Sequence, residues 1–401
     1  MSARGQRRRA ERESDGDELL VGPDSDVQPT LSIVMPTLNE EVGVRTCIDQ
    51  IKSALADLGV TGEIVVSDSS TDRTPEIAAE LGARVVDPDG MGYGYAYKYA
   101  FERVRGDYVV IGDADTTYDF EELPKLLEPV QEGRADLVMG SRLAGEIKSG
   151  AMPSLHQYVG NPLLTKFLNV FYGAGVSDAH SGFRVVDREV LEDLDLQSNG
   201  MEFASEMIMA ASAQGYRIEE VPITYHEREG EATLDSFRDG WRHVKFMLIN
   251  APSYLFSVPG LVFFLAGALT MAVTLGEARV AGTTPGINAM IAGSLLTIVG
   301  YQIATLAVFS SIAADPIQRP RDFVTNWIRD RFRLEHGATL GILLYGVGTV
   351  YVTVVVARWA TSGYSTVPFA VRSMVAFTAI VLGTQTIFSS FFFSMLAQAK
   401  Q

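Results

Sequence analysis

Val109-Val110-Ile111-Gly112-Asp113-Ala114-Asp115 is a short apolar run that ends in two carboxylates one residue apart. Its length and β-branched content are those of a buried strand. Two acids this close repel each other unless a positive group sits between them. Hard divalent cations take oxygen ligands, and Mg2+ commonly bridges one or two carboxylates and substrate phosphates. The plainer alternative is a solvated acidic turn.

Around this stretch the pattern alternates strand and helix. Leu31–Leu38, Glu63–Asp68, Ala83–Asp87, Asp107–Ile111 and Leu137–Gly140 read as strands; Glu40–Leu58, Arg73–Leu81, Gly92–Val104 and Phe120–Glu132 carry helical periods. Such alternation predicts an α/β domain with a mostly parallel sheet. Ligands of such sheets gather at the carboxyl ends of the strands, and the polar motifs fall there. Thr37-Leu38-Asn39-Glu40 closes the first strand and Ser67-Asp68-Ser69-Ser70-Thr71-Asp72 the second. Both are clusters of helix-capping types, and two at adjacent strand ends suggest more than capping. Gly90-Met91-Gly92-Tyr93-Gly94 opens the third helix, where glycine permits close backbone approach to a ligand. The dinucleotide fingerprint Gly-x-Gly-x-x-Gly is not matched: Tyr95 or Tyr97 stands at its third glycine.

The 401 residues suggest two or three units at about 100–200 residues per domain. With 33 Lys and Arg against 49 Asp and Glu, the formal net charge is −16. Residues 252–401 carry nine basic and five acidic side chains, a net +4, so residues 1–251 carry −20. A net acidic domain argues against a nucleic-acid partner, because phosphate binding needs a basic face. Cys47 is the single cysteine, which excludes a disulfide framework and a cysteine zinc site. Positive charge comes from 26 Arg and only seven Lys. Acid excess with scarce Lys reads as a solubility device suited to high salt, as in an archaeal-like acidic proteome.

Residues 1–30 are polar and read as a disordered tail. Met1–Arg9 is basic but no apolar run follows it, so no signal peptide is expected. The last 150 residues differ in kind. Ser253–Leu275, Gly286–Ala314, Ala338–Ala357 and Ser373–Ala399 lack any charge, and each reaches the roughly 20 residues that span a bilayer. The segment 237–252 before them reads as a juxtamembrane amphipathic stretch. Arg238, Arg242 and Lys245, the five arginines of the loop 315–337 and Lys400 fall on one side; Arg279, Arg358 and Arg372 fall on the other. The positive-inside rule then places both termini and the acidic domain in the cytoplasm of a multi-pass protein of the cell membrane. The loop 315–337 alternates Arg with Phe323, Trp327, Ile328, Phe332 and Leu334, a pattern of either an interfacial segment or a solvated basic loop.

These motifs together resemble a family-2 glycosyltransferase with the Rossmann-like GT-A fold, which binds nucleotide sugars. More narrowly, the chain resembles the polyprenyl-phosphate sugar synthases, such as dolichyl-phosphate mannose and glucose synthases. The resemblance rests on Ser32-Ile33-Val34-Met35-Pro36-Thr37-Leu38-Asn39-Glu40, Asp68 to Asp72, Asp113-Ala114-Asp115, Gly140-Ser141-Arg142 and Ser181-Gly182-Phe183-Arg184. It covers about Leu31–Phe246, and its members carry two or four C-terminal spans. The implied organisation is a GT-A catalytic domain over 31–236 followed by an all-α four-helix transmembrane domain over 253–401.

The resemblance also implies the site. Pro36, Thr37, Asn39, Glu40, Asp68, Ser70, Asp72, Gly92, Asp113 and Ala114 would bind the nucleotide sugar. Asp113 and Asp115 would hold Mg2+ or Mn2+. Arg142 would lie near the reacting groups with Asp178, itself either an acceptor-side group or a turn-stabilising acid. Arg228, Arg238 and Arg242 would meet the acceptor phosphate, or else are plain positive-inside charge. Glu202 and Glu206 share a helix face and would contact sugar hydroxyls or cap a buried network. Two departures stand out. Thr117 and Tyr118 occupy positions where the family often has Gln and then Asp or His. Gly230-Glu231-Ala232-Thr233-Leu234 lacks the lysine of the family's Gly-Glu-Ser-Lys-Leu.

The expected reaction is metal-dependent, inverting transfer of a hexose from a nucleotide sugar (UDP-glucose or GDP-mannose in type) to dolichyl or polyprenyl phosphate. The spans would either anchor the protein and pack it as a homo-oligomer or flip the charged lipid sugar; they hold no charged residue that would line a polar path. One alternative is a processive polysaccharide synthase, although the Gln-x-x-Arg-Trp motif of those enzymes is absent and Trp241-Arg242 has the reverse order. The other is a non-catalytic membrane binding protein on the same fold.

Overall fold

The computed structural model describes residues 15–229, 236–250, 253–279, 282–313, 334–362 and 370–399. The chain divides into two compact units, Met1–Met247 and Leu248–Gln401. The boundary falls inside the expected juxtamembrane segment.

The first unit is built on a seven-stranded sheet. In chain order its strands and helices are β1 (Leu31–Thr37), α1 (Val44–Leu58), β2 (Gly62–Asp68), α2 (Thr74–Glu80), β3 (Arg84–Val86), α3 (Tyr93–Phe101), β4 (Tyr108–Ile111), α4 (Leu123–Gln131), β5 (Leu137–Ile147), α5 (Asn161–Tyr172), β6 (Arg184–Asp187), α6 (Arg188–Asp193), α7 (Phe203–Gln214), β7 (Ile218–Tyr225) and α8 (Ser236–Asn250). The sheet order is β3-β2-β1-β4-β6-β5-β7. All pairings are parallel except those of β6, which runs antiparallel to β4 and β5. The five strands read from the sequence are present. β6 and β7 lie beyond that reading: the first is four residues long, and the second opens Ile218-Glu219-Glu220 and contains Pro222, a weak strand signal.

β1 and β2 are apolar runs buried along nearly their whole length, as expected of strands covered on both faces. Over them α1 buries Val44, Cys47, Ile48, Ile51 and Leu55, spaced at helical intervals. Complete burial of each large aliphatic there contributes about 1.5–3 kcal/mol. α1 starts four residues later than its periodicity suggests. Glu40–Gly43 form a turn whose Glu40 carbonyl accepts from the Gly43 and Val44 amides at 3.1 and 2.9 Å. The turn leaves the amides of Asn39 and Glu40 free to reach Ser70, just past β2, and Thr74 at the start of α2.

The expected disordered tail is corrected over its described part. Asp15–Leu19 is helical, Leu20 bridges to Gly62, and Val21 is buried. Asp17 pairs with Lys52 at 2.6 Å. Arg105 donates to the carbonyls of Ser25 (2.7 Å) and Gly22 (3.2 Å) while its Nε pairs with the buried Glu63 at 2.8 Å. A few apolar contacts and one buried carboxylate thus fasten a segment whose composition is polar. Residues 1–14 lie outside the described residues.

The second unit holds four apolar helices, α9 (Val258–Leu275), α10 (Ile287–Ala313), α11 (Leu334–Thr361) and α12 (Ala370–Ala399). Their candidate spans are Leu255–Leu275, Ile287–Ser310, His336–Thr361 and Val371–Leu396, in agreement with the four expected. α9 and α10 approach through glycines seven apart. A Cβ on Gly267 would lie 2.5 Å from the Gly293 carbonyl, and one on Gly300 would lie 2.7 Å from that of Gly260. Gly341 and Gly348 bring α11 equally close to Gly383 and Ala376 of α12. Small residues at such contacts let membrane helices pack backbone to backbone. The basic loop falls almost wholly outside the described residues, which resume at Leu334.

Candidate active site

The site lies at the carboxyl ends of β1, β2 and β4. Beyond β4, Asp113 and Asp115 stand where the sequence places them. Asp115 is buried and its Oδ1 accepts from the Thr117 amide at 3.1 Å and hydroxyl at 2.6 Å. Thr117 thus orients the carboxylate from a position where Gln is the family habit. Asp113 Oδ1 accepts from the Tyr93 hydroxyl at 2.9 Å. Gly182 faces the other oxygen: a Cβ there would lie 3.1 Å from Asp113 Oδ2. Burial, and next Asp115 beside it, push the Asp113 carboxyl up to about 7.

Arg228 reaches this pair from the segment after β7. That segment is laid along residues 115–117: the His226 amide donates to the Thr117 carbonyl at 2.9 Å and the Glu229 amide to the Asp115 carbonyl at 3.3 Å. The Arg228 guanidinium bonds Glu40 through Nη2 and lies 3.4 Å from Asp115 Oδ2 through Nη1. Its Nε is buried without a partner among the described residues. Burial raises the Glu40 carboxyl to about 7; Arg228 opposes the shift and Asp115 and Asp113 add to it.

β1 and β2 end in one connected polar shelf. Asp68 accepts from the Thr37 hydroxyl (2.6 Å) and from the Ser70 hydroxyl (2.6 Å) and amide (3.1 Å). Ser70 Oγ in turn accepts from the Asn39 amide at 2.8 Å, with Asn39 at a φ of 60°. The Glu40 amide donates to Thr74 Oγ1, whose hydroxyl donates to Asp72 at 2.5 Å. Pro36 lies in β1 beside Ser67. Ala114 is buried between the two acids. Gly92 opens α3 with a φ of 124°, and a Cβ there would meet the Asn199 carbonyl at 2.2 Å, so only glycine fits.

Arg142 and Asp178 form a second, drier centre. Arg142 Nε and Nη2 donate to the two Asp178 oxygens at 2.7 and 2.8 Å, and the Arg142 amide donates to Oδ2 at 3.1 Å. Burial would raise the Asp178 carboxyl, but Arg142 outweighs it and holds the carboxyl below its usual range. The segment 177–184 is tied down at nearly every residue. Glu220 accepts from the Ser177 and Asp178 amides, the Gly182 amide donates to the Tyr118 hydroxyl at 2.7 Å, and the fully buried Arg184 donates to the carbonyls of Ser181 and Ala179.

The structure therefore gathers Glu40, Asp113, Asp115 and Arg228, and separately pairs Arg142 with Asp178. Arg242 is exposed on α8; the Arg238 side chain lies outside the described residues, as do Gly230 to Leu234. Glu206 accepts from the amides of Gln197 (2.9 Å) and Ser198 (2.8 Å), which favours the network-capping reading over sugar contact. Sequence reasoning missed Tyr93, Tyr118 and Glu220, which act through contacts 64 residues or fewer from their partners with no motif to announce them. It also missed a bridge in which Ser205 Oγ lies 3.2 Å from His180 Nε2 and 3.1 Å from His243 Nδ1. Burial and then His243 drive the His180 imidazole down to about 3, so it is neutral.

The sheet order, its one antiparallel strand and the paired carboxylates beyond β4 define a glycosyltransferase of the GT-A fold. Residues 32–195 match Glycosyl transferase family 2, and residues 312–397 match the Glycosyltransferase family 2 C-terminal transmembrane region. The chain is 57% identical to the low-salt glycan biosynthesis hexosyltransferase Agl6 of Haloferax volcanii, over 96% of this chain and 93% of that protein. It is 38% identical to the dolichyl-phosphate hexose transferase of the same organism, over 52% of this chain and 89% of that one. Glucosyl-3-phosphoglycerate synthase from Mycobacterium tuberculosis in complex with phosphoglyceric acid is similar at a TM-score of 0.47 and 24% identity, over 61% of this chain and 84% of that chain. The chain belongs to glycosyltransferase family 2 and is an enzyme.

Proposed function

We propose that this enzyme transfers a hexose from a nucleotide sugar to a dolichyl or polyprenyl phosphate at the cytoplasmic face of the membrane, with inversion. The observation that carries the reading is the arrangement of Arg228 beside Asp115 in a chain that also bears four candidate spans. The name of one relative, a dolichyl-phosphate hexose transferase, supports this acceptor class, and that of the other, a hexosyltransferase, supports transfer of a hexose.

The residues fit a divalent cation. Glycine at 182 keeps a side chain away from Asp113 Oδ2, and the Asp113 carboxyl, raised first by burial and next by Asp115, belongs to a buried acid pair whose charge Arg228 offsets only in part. Among the described residues no three His, Cys, Asp or Glu are placed to hold a metal ion by themselves, so water and substrate phosphates would complete the shell. Asp113 and Asp115 would hold Mg2+ or Mn2+, which as a Lewis acid neutralises charge on a leaving diphosphate. The polar shelf of Thr37, Asn39, Asp68, Ser70 and Asp72 would seat the nucleoside, with Pro36, Ala114 and Gly92 shaping its floor. Glu40 would hold Arg228 in place.

A phosphate monoester has a second pKa of about 6 and is already anionic near neutral pH. Its oxygen attacks the anomeric carbon, the bond from that carbon to the diphosphate oxygen breaks, and no base has to remove a proton. The protein's task is alignment of the two partners, which is worth several kcal/mol of barrier. Arg228, with Arg238 and Arg242, would hold the acceptor phosphate; Arg142 and Asp178 would fix the loop beneath it. One displacement turns an α-linked donor into a β-linked product.

The test incubates the full chain with UDP-glucose or GDP-mannose, labelled in the sugar, and dolichyl phosphate. A β-linked lipid monosaccharide is expected. Polymer would indicate a processive synthase, binding without turnover a non-catalytic protein, and an α-linked product would overturn the inverting mechanism.

A further inference from the structure

We infer that Ser205 is a positioning residue that locks the helix α8 to the loop 177–184 and thereby sets where the acceptor phosphate stands. The inference rests on the acceptor reading above. Its basis is the bridge from His180 of the loop, through the Ser205 hydroxyl on α7, to His243 of α8, all within the first unit. Ser205 is fully buried and His243 is nearly so. The two imidazoles also meet edge to face, 4.9 Å between ring centres.

One hydroxyl between two imidazoles is a restrictive joint. It has a single proton to give, so one histidine must accept from it and the other must donate to it. His180 Nδ1 is buried without a partner among the described residues. If that nitrogen carried the proton, a buried donor would be orphaned, the rarer and costlier arrangement. The proton therefore sits on His180 Nε2 and is donated to Ser205, while the Ser205 hydroxyl donates to His243 Nδ1. Each member has one role, so the joint fixes both rings and the elements that bear them.

On the acceptor reading, those elements are the two that would flank the phosphate. The loop carries Asp178, clamped on Arg142, and Gly182, set against Asp113. α8 carries Arg242 directly before His243, and the chain enters its first candidate span at Leu255. Ser205 itself touches neither the paired acids nor any arginine among the contacts described, so its effect passes through the two histidines.

The experiment measures KM for dolichyl phosphate and for the nucleotide sugar that supports turnover, on the full chain in detergent. Ser205→Ala and His243→Phe should each raise KM for dolichyl phosphate about tenfold, the equivalent of one hydrogen bond at the upper end of its usual worth, and leave the donor KM within about twofold. The double variant should be no worse than either single one, because both break one joint. His243→Asn, which places a side-chain polar atom near the position of Nδ1, should restore the wild-type KM within about threefold. Equal rises in both KM values, additive effects of the two variants, or no rescue by asparagine would overturn the positioning role. Wild-type protein that turns over the donor but ignores dolichyl phosphate would overturn the acceptor reading instead, and the two failures are thus distinct.

Discussion

Arg228 Nη1 lies 3.4 Å from Asp115 Oδ2, and through Nη2 the same guanidinium holds Glu40. One cation thus stands among three acids, Glu40, Asp113 and Asp115, in a domain whose residues 1–251 carry a net charge of −20. The local field at the site is set by this arginine and by whatever cation joins it, and the net charge of the domain says little about it.

Arg228→Gln should therefore weaken the acceptor more than the donor. A hydrogen bond to a charged group is worth about 1.5–3 kcal/mol, so KM for the lipid phosphate should rise roughly tenfold to a hundredfold. Steady-state kinetics with each substrate varied in turn checks this; a larger effect on the donor KM would count against the assignment.

Asp115→Ala should lower transfer by at least about a hundredfold, since charge stabilisation at the reacting centre is worth several kcal/mol. The melting midpoint should move little, because the 115–118 turn keeps its backbone bonds to His226 and Glu229 and the bond from the Gly182 amide to the Tyr118 hydroxyl. Chelation of wild-type protein should abolish turnover likewise, with recovery on adding Mg2+ or Mn2+. Activity that survives both treatments would refute the metal assignment.

The acid cluster gives a pH signature. Glu40 and Asp113 have ordinary values of 4.5 and 3.8, and burial raises each to about 7 in the folded chain. A folded state that binds protons more tightly than the unfolded one is favoured where those protons are bound. Their contribution is fully present below about pH 4 and is lost as pH rises through about 7. In chelator the melting midpoint should accordingly fall between about pH 5 and 8 from these two groups, and Glu40→Gln should flatten the fall. Calorimetry across that range checks the sign, and a rising midpoint attributable to Glu40 would contradict it.

The Arg142–Asp178 pair should behave as a buried unit. Asp178→Ala leaves an uncompensated buried guanidinium and should cost about 3–5 kcal/mol, whereas Arg142→Met with Asp178→Leu should recover much of that loss. Thermal midpoints of the single and double variants decide it. Equal losses in all of them would mean that the pair contributes through packing alone.

How much of this was legible beforehand differs from residue to residue. β1, β2 and β4 announced themselves because a strand covered on both faces has an apolar, β-branched middle, and Asp113 and Asp115 because two acids at the end of such a run have no packing reason to be there. The span helices were equally plain, since hydrocarbon tolerates no charge over about 20 residues. β6 escaped because its apolar content is only Val185 and Val186, set between Arg184 and Asp187. The fastening of Asp15–Ser25 escaped because it depends on Lys52, Gly62 and Arg105, far away in sequence.

The sequence alone determined the two units, the order of strands and helices through β5, the four spans and the identity of the paired acids, all of which follow from local composition and period. Only the tertiary structure decided partners. It turned Arg142 onto Asp178, laid Arg228 across Glu40 and Asp115, made Thr117 the support of Asp115, and drew His180, Ser205 and His243 to a single hydroxyl. The physical reason is that a side chain's charge and reach can be read from its type, whereas the direction it faces is set by how distant segments close around it.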